Sequence, residues 1–245
     1  MAMPAIASSR YNELEDVIVA SQRLVRTGNT FEEYFSVLSR SAHELGAPDG
    51  LGVLLVHRHW RLEPGGMMVE RRGSFRDRPA LITAPEGQPA TLCAPIRWVV
   101  DGEALVGMEY SDDPDAVAVS TALARHSRFI QTFIDITRGF GMADLCGLAV
   151  TRRTHLRCRD REFYLEFNGN NCSVVVATSL TMKGNDAIDT VWPFPTGPVA
   201  GCTSRCRQTH RTRCVRSGDQ HRQVHDFDHV SSHEYTPICR PTGCV

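Results

Sequence analysis

The chain has 245 residues, 42% of them hydrophobic, with 28 acidic against 27 basic side chains and a formal net charge of −1. That hydrophobic share suffices for a packed core and excludes wholesale disorder. The near-neutral balance gives no electrostatic case for nucleic acid or for an anionic membrane surface.

In chain order, residues 1–9 read as a flexible N-terminus and residues 10–195 as a single domain. The start turns acidic at Glu13, Glu15 and Asp16, unlike a secretory signal, and no run reaches the roughly 18 apolar residues of a membrane span. The expectation is a cytoplasmic protein whose cysteines are free thiols or metal ligands and not disulfides. Leu14, Ile18 and Leu24 sit at helical spacing, and Gly28 supplies a stop. Thr30, with Glu33 three residues on, predicts a capping box for a second helix carrying Tyr34, Phe35, Leu38 and Leu45.

From Gly50 the period changes. Residues 51–56 form an unbroken apolar run of strand length, expected to be buried on both faces. Short strands are predicted at 67–70, 81–83, 97–100 and 104–110, separated by turns such as Pro64-Gly65-Gly66. Residues 120–138 read as one long central helix, with Leu123, Phe129, Ile130, Phe133 and Ile134 facing a core. Further strands are predicted at 146–150, 162–167 and 172–177. The fold class is therefore α+β: a mostly antiparallel sheet with an N-terminal helix pair and one long central helix.

Two candidate metal centres stand out. His57 and His59 lie two apart after the apolar strand, so both rings project from one face, and Glu63 follows four residues later. This H-x-H-x3-E string resembles part of the first metal motif of cupins, which implies an iron-, manganese- or related metal-dependent enzyme. The competing reading has both histidines ending a strand and hydrogen-bonding locally. The second candidate lies in the Cys/His/Arg-rich tail at 196–245, beyond the proline-broken exit that begins at Trp192. Cys202, Cys206, His210 and Cys214 recur every fourth residue and are thiolate and imidazole ligands of the kind zinc favours. Four such ligands on one straight helix would span about 18 Å, so a single ion requires the chain to fold back. The tail has few large apolar groups and is expected to be disordered unless metal-bound. The same composition would also come from a shifted reading frame in a GC-rich gene.

No nucleophile elbow, phosphate-binding loop or H-E-x-x-H helix is present. Cys93, His126 and Asp144 could supply a nucleophile, base and orienter, a triple that any cysteine-rich chain offers by chance.

The string 54–69, LLVHRHWRLEPGGMMV, resembles a block of an uncharacterised fungal (ascomycete-type) family of intracellular proteins. Arg97-Trp98, Met108-Glu109-Tyr110, the stretch from Glu166 to Gly169 and the stretch from Ile188 to Trp192 resemble its later blocks. The resemblance implies no assigned activity and no catalytic residues. It implies an accessory role in a specialised (secondary) metabolite pathway, with an unidentified protein or small molecule as partner. The alternatives are a cupin-like metal enzyme at His57, His59 and Glu63, and a zinc-stabilised interaction tail.

Overall fold

Strand β1 (Leu51–Leu55) is buried at every residue, and the reason is that both its faces are covered. Leu51, Val53 and Leu55 pack in a core shared with the helices, whereas Leu54 packs in a second cluster on the opposite face. The chain is seen here in a computed structural model describing residues 4–87, 93–157, 159, 162–168, 172–178, 187–195, 204–207, 211–217 and 220–226.

Short helix α1 (Ser8–Glu13) leads into α2 (Val17–Arg26) and α3 (Asn29–Glu44). The expected helix pair is thus present as α2 and α3. The capping box is not: Gly28 occupies the N-cap position of α3 with φ 55°, and no side chain caps it. The left-handed backbone at that position suits glycine, and it places Thr30 inside the first turn. The cap that does form belongs to α2, where the Asp16 carboxylate accepts the N–H groups of Ile18 and Val19.

After β1 come the hairpin β2 (Met67–Phe75) and β3 (Arg78–Glu86), then β4 (Ala94–Asp101) and β5 (Ala104–Ser111). Arg76 and Asp77 join the first hairpin, both with positive φ (50° and 60°), as a two-residue primed turn requires. Helices α4 (Pro114–Leu123) and α5 (Ser127–Gly139) follow, then β6 (Cys146–Val150), β7 (Phe163–Asn168), β8 (Ser173–Thr178) and β9 (Ala187–Pro193). Beyond them are β10 (Ser204–Arg207) and the paired strands β11 (Arg211–Ser217) and β12 (Gln220–Asp226).

The expected single helix over 120–138 is two helices, broken at Ala124, Arg125 and His126. Each has its own partner: α4 packs on β4, and α5 packs on α3. No large apolar side chain lies between Leu123 and Phe129 to carry one stripe across the break.

The sheet closes on itself. Its order is β1-β6-β4-β5-β2-β3-β8-β7-β10-β9, with β9 returning to β1. Most neighbours are antiparallel, but β2 with β5 and β7 with β10 run parallel, so the sheet is mixed. Helices α3, α4 and α5 cover the face of β1, β4 and β6 that carries Val53, Trp98 and Leu148. Two glycines permit close strand contacts in this wall. A Cβ on Gly52 would lie 2.5 Å from the Trp192 carbonyl oxygen, and one on Gly147 would collide with that of Trp98. Among the described residues, no helix is long and apolar enough to cross a membrane.

Candidate active site

Strands β4 and β7 lie opposite each other in the barrel, with four strands between them in either direction. A contact between them must therefore cross the lumen. Arg97 of β4 makes that contact: its Nη2 donates to Glu166 Oε2 of β7 at 3.0 Å, while its Nη1 lies 3.1 Å from Glu109 Oε2. Glu109 is the register partner of Arg97 on β5, at a point where the β4–β5 register shifts. Irregularities of this kind re-aim side chains next to functional sites.

The two sequence-predicted histidines complete the cluster. Just beyond β1, His57 and His59 project together with Nε2 atoms 3.1 Å apart. His57 Nδ1 lies 2.7 Å from the Leu55 carbonyl and must donate its proton there, which leaves Nε2 as an acceptor. His59 Nε2 faces that acceptor, and Arg97 Nη1 lies 3.2 Å from the same His59 nitrogen. His59 Nδ1 is 2.7 Å from Glu109 Oε1, and its Nε2 is 3.1 Å from Glu166 Oε1. The two flanking carboxylates favour the protonated imidazole. Two carboxylates thus face two cations, Arg97 and His59, beside a neutral His57. The charges balance, which is what allows side chains only 1–7% exposed to stay ionised.

Titration behaviour follows from this packing. Burial, with His59 and Arg97 close by, pushes His57 down to about 4. Burial alone would raise Glu109 and Glu166, but Arg97 and His59 outweigh it and hold both below the ordinary carboxylate value, Glu166 well below. For His57, the unfolded imidazole takes up a proton near pH 6.5 that the folded one refuses until about 4. Its contribution is therefore complete above pH 6.5 and is lost as the pH falls through that window. The loss should amount to about 1.4 kcal/mol per pH unit, about 3 kcal/mol in all. Glu109 and Glu166 add to the loss at still lower pH. Urea unfolding of wild type between pH 7 and 4.5 should show this slope, and His57→Gln should lack it. Equal slopes in both proteins would contradict the assignment.

A second ion pair lines the same lumen. Arg153, just beyond β6, donates from Nε to Glu70 Oε1 of β2 at 2.6 Å and from Nη1 to the Val150 carbonyl. Asp113 holds the loop carrying Arg153, accepting the N–H groups of Thr154 and His155 at 2.8 Å each. Between the two pairs is a cavity of about 10 Å³, lined by Glu70, Arg97, Arg153, Tyr164 and Glu166 together with Leu81, Val150, Val175 and Val191. That space holds about one water molecule.

Glu63 is exposed in the β1–β2 loop, whereas the imidazoles of His57 and His59 are buried. Among the described residues, no group of three or more His, Cys, Asp or Glu is arranged to hold a metal ion. In the lumen, Arg97 lies between the Glu109 and Glu166 carboxylates. Cys206 lies in β10 and Cys214 in β11, whereas Cys202 and His210 fall outside the described residues. Cys93 contacts Arg71 and not a histidine, its Sγ lying 3.3 Å from Nη1, and Asp144 pairs at the surface with Arg10. The triple of Cys93, His126 and Asp144 is therefore not assembled.

No family model, curated protein or solved structure matches this chain.

Arg97, Glu109 and Glu166 were not singled out from sequence as site residues, although each lies in a string that carries the fungal resemblance. A signal was present in each case. Arg97 stands between Ile96 and Trp98, Glu109 between Met108 and Tyr110, and Glu166 between Leu165 and Phe167. A lone charge inside an apolar strand run costs several kcal/mol to bury unless a partner waits inside.

Proposed function

We propose that the barrel is an acid–base enzyme that moves a proton on a small uncharged molecule held in its lumen. The observation that carries this reading is His59, whose Nδ1 lies 2.7 Å from Glu109 Oε1 and whose Nε2 lies 3.1 Å from Glu166 Oε1. Such a pair of contacts is a proton relay. One carboxylate takes a proton from the ligand, the imidazole passes a proton between the carboxylates, and the other carboxylate returns one at a second ligand atom. The balance closes without an oxidant, a reductant or a metal, and the net chemistry is an isomerisation or a cyclisation by proton shift. Arg97 steadies both carboxylates and offers N–H groups to negative charge developing on a ligand oxygen. His57, fixed as its Nδ1–H tautomer by Leu55, keeps the His59 ring in place. Buried titratable groups gathered around one enclosed space make this the candidate place for such chemistry. The reading suits the accessory role in specialised metabolism that the fungal resemblance implies.

The test begins with small carbonyl and hydroxyl compounds screened for a rise in melting temperature. Binders are then incubated with the protein in D2O and followed by NMR for deuterium uptake at carbon. Wild type should catalyse exchange, and Glu109→Gln and Glu166→Gln should each slow it by about 100-fold or more. Exchange that is equal in the variants would remove the relay from the mechanism.

A further inference from the structure

Tyr11 comes from α1, outside the barrel strands, yet it is fully buried and reaches the lumen cluster. Its ring packs with Leu54, Val56, Met68, Val106 and Met108. Its hydroxyl accepts the His59 backbone N–H at 3.2 Å and faces Glu109 Oε1 at 3.5 Å. The segment that carries it, residues 4–15, is held at the rim by separate polar contacts and by no extended strand pairing. Ile6 N–H donates to the Gly107 carbonyl, Asn12 and Leu62 exchange two hydrogen bonds, and Arg58 Nη1 donates to the Asn12 carbonyl. The Pro4 and Glu15 carbonyls also accept from the Gly107 and Arg58 N–H groups, and Ile6 is buried with Tyr11. None of these contacts joins one barrel strand to another, so releasing the segment leaves the strand pairing of the barrel intact.

We propose that Tyr11 is a tethered stand-in for the ligand, and that the pocket it fills takes an uncharged phenol when residues 4–15 swing away. The proposal rests on the lumen reading above and names its substrate class. Three observations support it. The free cavity holds about one water molecule, so a larger ligand must displace something, and the Tyr11 ring is the apolar body already seated beside the relay. The polar end of the pocket needs one group that accepts from the His59 N–H and donates to Glu109. A phenol does both, whereas a carboxylate cannot donate. The resident charges already balance, so an added charge would be buried without a partner. Burial also holds the Tyr11 phenol far above its ordinary value, which keeps it un-ionised in this place.

The probe is p-cresol, the tyrosine side chain detached from its backbone. Calorimetric titration should show Tyr11→Ala binding it at least ten-fold tighter than wild type, because the internal competitor is gone. In wild type, saturation with p-cresol should speed tryptic cleavage after Arg10 as the segment is released. Toluene, which lacks the hydroxyl, and benzoate, which carries charge, should each bind Tyr11→Ala at least ten-fold more weakly than p-cresol. Tyr11→Phe keeps the ring and the fold, and it should both release the segment faster and bind p-cresol more tightly than wild type. The proposal is overturned if p-cresol binds neither variant, if toluene binds as well as p-cresol, or if p-cresol leaves the segment of wild type protected. Compounds that bind in the lumen and exchange deuterium with the segment still closed would also overturn it, while the relay reading survived. Binding of p-cresol as expected, with no compound undergoing exchange, would do the reverse.

Discussion

Arg97→Met should cost about 3–5 kcal/mol, because it leaves Glu109 and Glu166 buried with only His59 to balance them. In a chain of this size such a loss lowers the melting temperature by on the order of 10 °C. Methionine keeps most of the side-chain volume, so the effect reports the charge and not a cavity. Two further measurements separate this account from generic damage. Adding Glu109→Gln to Arg97→Met should restore part of the loss, since one fewer carboxylate is left unpaired. The deficit should also shrink as the pH falls into the carboxylate range, where the unpaired groups can take up protons. A variant that melts like wild type at pH 7 would show that the cross-lumen bridge contributes nothing.

Val53→Asp should leave the protein insoluble. Val53 is fully buried, pairs with Leu148 on one side and Trp192 on the other, and packs in the core beneath the helices. An aspartate there would place a carboxylate among apolar side chains, at a cost comparable with the whole stability of a domain, about 5–15 kcal/mol. Expression in the soluble fraction with a cooperative melt would sink the assignment of β1 as a central strand. The neighbouring Leu54 offers a contrast, because its side chain points to the opposite cluster, with Tyr11. Leu54→Ala should lower stability while leaving the helix-side core intact.

The α+β class, the helix pair and most strand positions were legible because each depends on local periodicity. The unbroken run at 51–56 was decisive, since a strand without polar residues survives only with both faces covered. Other local features misled. The run at 67–70 is only the start of β2, which extends to Phe75, because Arg76 and Asp77 adopt a turn that the usual Asn-Gly signal does not announce. The helix at 120–138 broke because two separate packing partners, β4 and α3, set the directions of its halves.

At the site, the proximity of His57 and His59 was legible in their two-residue spacing, although β1 ends at Leu55, before both of them. Neighbours in sequence can predict no more than that. Glu109 and Glu166 reach His59 from strands 50 and more residues away, and Arg97 faces Glu166 only because closure sets β4 opposite β7. Tyr11 belongs to the cluster only because the N-terminal segment lies over the rim of the closed barrel. What the sequence determined by itself was which residues must be buried, and that lone charges inside apolar strands would need partners. Only the tertiary structure decided who those partners are. Pairing across a lumen depends on strand order and closure, and neither is written in any local period.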